Sequence, residues 1–329
     1  MTSTLAPVDR IKVQVIIDNV TDSLSSTPKF VTNEWPNLFK AGLRRLDGAC
    51  LCCANHGLAL VITAHRGEQS RTILFDGGPA EAAFEDNARL LGIDLGGVEA
   101  MMLSHGHWDH AGGLLRALDM IHSARNGRPV PLYLHPGMFD ERSAPFPNGL
   151  RIPFKNVPTP EAFSARGAIP VVTTEPQVVL SDMFYVSGEI PRVTPYEVGY
   201  PGHMKRSAED GTWQPDPLIM DERFLAVHLR DRGVFVFSAC SHAGIINVLT
   251  HARDSFPHGP LFGAMGGFHL VGMNEKIIPE TVRDIGGFGL QVIAPGHCTG
   301  WRAVSALERA FGDSIVVPIA VGKVFELGG

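Results

Sequence analysis

Residues 104–110 read Ser-His-Gly-His-Trp-Asp-His. They place the imidazoles of His105, His107 and His110 and the carboxylate of Asp109 directly after an apolar run that ends at Leu103. Borderline-soft nitrogens and a hard carboxylate at this density suit one or two Zn²⁺-like ions. An extended turn lets His105 and His107 face one ion while Asp109 and His110 serve another. No cysteine stands in the stretch, which sets it apart from a closed structural zinc site, where thiolates dominate.

Two ions need more donors than these, and three later places offer them, each at the boundary of an apolar, strand-like run. Asp221 precedes the run 224–229, Cys240 and His242 follow the run 233–238, and His297 follows the run 290–294. A strand that stops and donates a ligand from its end gives a rigid frame for a metal. Other polar residues fit the rim of such a site. His269, in Gly-Gly-Phe-His-Leu, reads as a catalytic or substrate-contacting imidazole. His56 stands at the entry to the run 58–64 and reads as a second substrate contact. Glu189 and Arg192 share the loop Gly-Glu-Ile-Pro-Arg, where Arg192 can grip a phosphate or carboxylate through its forked guanidinium; the alternative is a local ion pair between the two. His203 reads as a loop residue rather than a ligand. Phe139, Phe154, Phe163 and Trp213 read as packing anchors more than as an aromatic pocket. Cys50, Cys52 and Cys53 read as small apolar side chains and not as a further metal site.

The elements that must hold these residues follow from hydrophobic periodicity. Strands are expected at 12–17, 58–64, 71–75, 99–103, 130–135, 224–229, 233–238, 261–265, 290–294 and 315–320. Helices are expected at 80–92, 111–120, 245–251, 279–285 and 301–311. The stretch from about 136 to 220 is rich in Pro and Gly and reads as loops and short strands covering a site. Strands passing to strand–helix alternation, and then doing so again, are satisfied by two packed sheets with helices outside. No linker interrupts the pattern, so 1–329 is expected to form a single domain with an elaborated middle.

The chain has 329 residues, 44% of them hydrophobic and 19% charged, as expected of an ordered globular protein. Its formal net charge of -6 argues against a nucleic-acid partner, which needs a basic footprint. No apolar span of membrane length and no leader-like start is apparent, so no membrane partner and a cytoplasmic location are expected. A small-molecule substrate is the expected partner, and a homo-oligomer is compatible with the sequence.

Ser-His-Gly-His-Trp-Asp-His-Ala-Gly-Gly resembles the H-x-H-x-D-H signature of the metallo-β-lactamase superfamily, and Asp76 in Leu-Phe-Asp-Gly-Gly resembles its earlier strand-end aspartate. Further stretches at 54–62, 91–94, 134–139, 187–192, 240–245, 266–270 and 295–300 are similar to the family of 7,8-dihydropterin-6-yl-methyl-4-(ribofuranosyl)aminobenzene 5'-phosphate synthases and its bacterial relatives. The resemblance implies an α/β fold, a four-layer αββα sandwich. It also implies that His105, His107, Asp109, His110 and His297 ligate metal, while Asp76 supports a ligand histidine from behind. Asp221 lies where the superfamily has a further ligand histidine, and Cys240 lies where it has a bridging aspartate, with His242 close behind. One or two divalent ions are expected, Zn²⁺ first, with Mn²⁺, Fe²⁺ or Mg²⁺ suiting an oxygen-rich second position. The expected activity is hydrolysis of a small ester or phosphoester, with Asp109 orienting the nucleophile. The alternatives are a transferase using a dihydropterin diphosphate and a non-catalytic protein that keeps the metal for binding or sensing. A phosphorylated or pterin-like substrate fits the first two.

Overall fold

The computed structural model of the chain describes residues 5–145, 150–207 and 210–328. Two sheets lie face to face. The first runs in the order Val31–Thr32, Val324–Gly328, Arg10–Ile17, Ala59–Arg66, Gln69–Phe75, Ala100–Met102, Val130–Leu134, Ala168–Val172. The second runs Gln177–Val179, Phe184–Val186, Leu225–Leu229, Gly233–Ser238, Leu261–Gly267, Val292–Gly296. Between them Val13, Ile62 and Phe75 of the first sheet meet Val227, Phe235, Phe237 and Met265 of the second.

The outer faces are closed by helices. Glu81–Leu90 and Leu114–Ala124 cover the first sheet, where Val61, Leu74 and Met101 meet Phe84, Leu114 and Ile121. Ile245–Ser255, Ile278–Gly286 and Trp301–Phe311 cover the second, where Val234 and Val236 meet Val248, Leu249, Ile285 and Leu307. In Gly233–Ser238 the phenylalanines therefore point to the sheet interface and the valines to the helices, as strand alternation demands. The architecture is the expected four-layer αββα sandwich.

Both sheets contain parallel runs. Gln69–Phe75, Ala100–Met102, Val130–Leu134 and Ala168–Val172 are parallel in one, and Gly233–Ser238, Leu261–Gly267 and Val292–Gly296 in the other. Parallel strands end on the same edge, and ligands of open α/β sheets gather outside their carboxyl ends. That edge carries Asp76, Ser104 to His110, Cys240, His242, His269 and His297. The middle region adds a sheet of four short strands, Trp213–Pro215, Met204–Arg206, Arg142–Pro145 and Arg151–Pro153, beside this edge.

Two local expectations change, and one helix is added. The segment 315–320 is not a strand: its one bridge to the neighbouring strand is Ile293–Val316, and although the Ile319 N–H still donates to the Pro295 carbonyl at 3.0 Å, Pro295 has no N–H to complete the next bridge. The closing strand is Val324–Gly328, paired with Arg10–Ile17. The helix expected at 111–120 is two pieces, Trp108–Ala111 and Leu114–Ala124. Glu34–Lys40 is a helix that carries Pro36 inside its first turn and buries Leu38 beside Cys52, which packs as an ordinary small apolar residue. No helix among the described residues is long and apolar enough to cross a membrane.

The helix Ile245–Ser255 begins directly after the loop that carries Cys240 and His242, and its own first residues supply no side-chain cap. Glu197 supplies one from a distant loop, accepting from the N–H groups of Ile246 and Asn247 at 2.8 Å each. Burial raises this carboxyl from an ordinary 4.5 to about 7, against the pull of those two N–H groups. A folded-state value above the unfolded one means that its favourable contribution is complete below about pH 4.5 and is lost as pH climbs through 7. The difference in urea-unfolding stability between the wild type and Glu197→Gln is therefore expected to change by roughly 3 kcal/mol between pH 4.5 and pH 8, with the wild type losing ground. A pH-independent difference would show that Glu197 is ionised throughout.

Candidate metal centre and active site

One buried carboxylate organises the histidine stretch. Asp76 follows Gln69–Phe75 with a left-handed φ of 61°. It accepts from the Ser104 N–H at 2.7 Å, the Ser104 hydroxyl at 2.8 Å and His110 Nδ1 at 2.7 Å. The Ser104 hydroxyl is spent on Asp76, so at 2.9 Å its oxygen accepts from His105 Nδ1. Both His105 and His110 are thereby left with a bare Nε2.

The same logic fixes His107. His203 Nδ1 lies 2.9 Å from the carbonyl of Asp216, which can only accept. His203 Nε2 is then bare, and His107 Nε2 donates to it at 3.0 Å. That leaves His107 Nδ1 bare, and it faces the bare Nε2 of His105 at 3.0 Å. Two lone pairs pointed at each other repel, and a cation is what reconciles them. His242 adds to this face: neither of its ring nitrogens has a hydrogen-bond partner, and its ring lies 4.8 Å from those of His105 and His107. Glu222 holds its loop by accepting from the N–H groups of His242 and Ala243 at 2.8 and 2.6 Å.

A second group of donors lies beside the first. Asn19 Oδ1 accepts from the Gly57 N–H and, at 2.9 Å, from His297 Nδ1. His297 Nε2 is left without a partner and stands 3.4 Å from Asp109 Oδ2. Asp18 fixes the same residue through its backbone N–H at 2.8 Å. His110 Nε2 is 3.6 Å from Asp109 Oδ2 and 3.5 Å from Cys240 Sγ. His56, whose Nδ1 accepts from Asn19, turns its Nε2 to Asp109 Oδ2 at 3.4 Å.

Electrostatics divides the cluster. Burial and mutual repulsion among the imidazoles push His105, His107 and His242 well below the ordinary histidine range, so they stay neutral and able to ligate. Burial opposes charge on His110 too, but the carboxylates of Asp109 and Asp76 outweigh it and raise it to about 9. Burial likewise works against ionised Asp109, and His110 and His297 more than reverse it. A divalent ion competes for the proton that these carboxylates draw onto His110. Asp76, Ser241, His269 and His297 also all adopt left-handed backbone without being glycine. Such strain persists only where the surroundings over-determine it, and it concentrates at functional sites.

The donors form the floor of a cavity of about 1050 Å³. Trp108, Phe154, Tyr200, Val271 and Met273 contribute to its walls. His107 meets Phe154 edge to face at 5.4 Å. His269 lines the same cavity, 4.3 Å from the His242 ring and 5.3 Å from Tyr200, with an unpartnered Nδ1. Lys155 is the one lysine or arginine among the described residues that line it.

The structure thus gathers His56, His105, His107, Asp109, His110, Cys240, His242, His269 and His297, with Asp76 behind them. Three expected site residues lie elsewhere. Asp221 is not turned to the cluster: Arg142 takes both its oxygens, at 2.5 and 3.1 Å, and it accepts from the Gly106 N–H at 2.7 Å. It acts on the site by holding the backbone between His105 and His107. Gly106 has to be glycine, since a Cβ there would lie 2.4 Å from the Met138 carbonyl oxygen. Arg192 does not face the cavity; its guanidinium is consumed by the carbonyls of Ile190, Leu218 and Ile219. Glu189 is exposed and pairs with His135 at 3.2 Å, neither with Arg192 nor with the cavity. Conversely, His203, read as a loop residue, is fully buried against His107. Asp18, Asn19 and Glu222 carried no motif. Their one signal was position: Asp18 and Asn19 directly follow the strand Arg10–Ile17, at the same kind of strand end that carries the ligands.

The metallo-beta-lactamase superfamily model matches residues 56–204. A 7,8-dihydropterin-6-methyl-4-(beta-D-ribofuranosyl)-aminobenzene-5'-phosphate synthase of Methanocaldococcus jannaschii is 26% identical over 269 residues, which cover 78% of this chain and 85% of that protein. An uncharacterized protein of the same organism, MJ0448, is 28% identical over 256 residues, covering 78% of this chain and 88% of its own. Among solved structures, Tm1679, called a metal-dependent hydrolase of the beta-lactamase superfamily, is similar with a TM-score of 0.70 and 22% identity, over 97% of this chain and all (100%) of that one. Unliganded yeast PDE1 is similar with a TM-score of 0.53 and 12% identity, over 98% of this chain and 100% of that one. The chain has the metallo-beta-lactamase fold, and its His, Cys and Asp clusters are able to coordinate divalent metal.

Two substitutions separate ligands from supports. Asp76→Ala frees the outer nitrogen of His110 and the Ser104 hydroxyl that orients His105, and zinc affinity measured against a chromophoric chelator is expected to fall about 10- to 100-fold. Asp221→Asn is expected to leave the metal content unchanged while destabilising the fold by about 3–5 kcal/mol, because Arg142 loses its buried counter-charge. Loss of an ion with unchanged stability would return Asp221 to the role of ligand.

Proposed function

We propose that this protein is a metal-dependent hydrolase acting on a small phosphoester or ester with a flat, apolar body. The observation that carries the reading is the convergence of bare, unpartnered nitrogens from four strand ends on the floor of a large, largely apolar cavity. His105, His107 and His242 would hold one ion; His110, His297, Asp109 and Cys240 would hold a second. Imidazoles with a thiolate favour Zn²⁺ over Mg²⁺ or Mn²⁺. The bound metal supplies Lewis-acid chemistry at neutral pH.

The chain's own groups do the rest. Trp108, Phe154 and Tyr200 offer faces to a flat substrate, and Lys155 offers a charge to an anionic end at the mouth. Asp109, ionised and facing His56 and His297, orients the incoming nucleophile and receives its proton. His269, beside His242, has an unpartnered Nδ1 and holds the proton that the leaving oxygen needs.

A second reading rests on the relative of Methanocaldococcus jannaschii, whose name specifies synthesis of a pterin-aminobenzene conjugate. There the same cavity would seat two flat rings, and an arene carbon would displace diphosphate from a methylene carbon. The neutralisation of a departing anion is common to both reactions.

The test is turnover in isotopically labelled water, with zinc-replete and chelator-treated protein. Aryl phosphodiesters and aryl esters form one arm, and a dihydropterin methyl diphosphate with an arylamine acceptor forms the other. Metal-dependent entry of label into the product supports hydrolysis. Metal-dependent conjugate formation with no label in the diphosphate supports the transferase. Equal turnover without metal would overturn both.

A further inference from the structure

Cys298 is a chemical group the reading above leaves unused. It follows His297 at the end of Val292–Gly296, while Cys240 lies just past Gly233–Ser238. Their sulfurs are 3.2 Å apart, and both cysteines are free. The donor atoms of Cys240, Cys298 and His297 all fall within 4.8 Å of one another, and Cys240 Sγ is 3.5 Å from His110 Nε2.

The ordinary account of two buried cysteines is apolar packing. Cys52 fits that account, since it sits in a cluster with Leu38, Leu91 and Val321. Cys240 and Cys298 belong to none of the apolar clusters. Their sulfurs face imidazoles and each other instead, with the Cys298 thiol donating to the Cys240 carbonyl at 3.4 Å. Room for this is made on purpose: a Cβ on Gly267 would lie 2.6 Å from Cys298 Sγ. A disulfide is far shorter, about 2.05 Å between sulfurs. Two thiolates on one tetrahedral zinc, with bonds of about 2.3 Å, stand about 3.8 Å apart. The pair is therefore about half an ångström from the spacing that a shared ion would impose.

We infer that Cys240 and Cys298 together form a two-thiolate face of the second metal position, completed by His110 and His297, with Cys298 taking the place given above to Asp109, which is left to orient the nucleophile. This rests on the proposal that the cluster holds metal. It makes the two positions chemically unlike. The first, His105 with His107 and His242, is all nitrogen. The second is sulfur-rich and selects Zn²⁺, Co²⁺ or Fe²⁺ against Mg²⁺ and Mn²⁺.

The test uses the full chain loaded anaerobically with Co²⁺, read by the near-ultraviolet thiolate-to-cobalt charge-transfer bands. The wild type is expected to show the intensity of two thiolates. Cys240→Ser and Cys298→Ser are each expected to keep about half of it, and the double variant none. X-ray absorption at the zinc edge of the unmodified protein gives the sulfur count without any variant; averaged over one all-nitrogen and one two-thiolate position, about one sulfur per zinc is expected when both are filled. Cobalt bound with no charge-transfer band, or a band that Cys298→Ser leaves unchanged, overturns the inference while the metal centre stands. No cobalt or zinc bound at all overturns the metal centre with it.

Discussion

An imidazole has two ring nitrogens and, when neutral, one proton, and the site is built around that constraint. His105, His107, His110 and His297 are each tied by one nitrogen to a fixed acceptor: the Ser104 hydroxyl, His203, Asp76 and Asn19 respectively. Each bond fixes the tautomer and turns the bare nitrogen inward. The inward nitrogens face one another, Asp109, Cys240 and Cys298. Buried polar groups left in that state cost stability unless something compensates them, so the cluster is intelligible only as a set of donors.

The acceptors must be as rigid as the ligands, and the two sheets supply that rigidity. Asp76, Asp18 and Asn19 end strands of the first sheet, while Cys240, His269 and His297 follow strands of the second. Asp18 and Asn19 bind His297 across the gap between sheets, and Asp76 reaches from one strand end to the next. The inter-sheet core of Phe75, Phe235 and Phe237 thus does more than exclude water: it sets the separation of the strand ends that form the two halves of the donor set. Glu222 and Glu197 extend the scheme to the loop of His242 and the helix behind it, taking N–H groups that this loop and helix start would otherwise leave open.

What the sequence revealed and what it hid follow from the range of the interactions involved. Strands and ligands that follow one another within a few residues were legible: the histidine stretch, Cys240 with His242, and His297 all stood beside apolar runs. The layers were legible because Phe235 and Val236 alternate as strand residues do and the covering helices carry matching stripes. Asp221 was misread because its position before a strand is that of a ligand, while its true partner, Arg142, lies 79 residues away. Arg192 was misread for the complementary reason. A guanidinium looks like an anion grip until three carbonyls of its own surroundings fill its donors. His203 was passed over because the segment around it has no periodicity, and a residue held by a short hairpin sheet leaves no local signature. The segment 315–320 had the composition of a strand, and the proline that interrupts its ladder, Pro295, lies in the neighbouring strand.

These differences in legibility coincide with a division of labour along the chain. The donors of the floor stand at the ends of strands of the two main sheets, where geometry is reproducible. The walls come largely from the irregular middle: Phe154 beyond the short strand Arg151–Pro153, and Tyr200 just before Met204–Arg206. His203 belongs to the middle by position and to the floor by contact, since it sets the tautomer of His107 while its neighbour Tyr200 faces the cavity. Substitutions at Phe154, Tyr200 or His203 are therefore felt by the donor imidazoles that these side chains touch. The variable segment thus touches the frame at several points: His203 on His107 Nε2, Phe154 on the His107 ring, Tyr200 beside the rings of His242 and His269, and Arg142 through Asp221 on the backbone between His105 and His107.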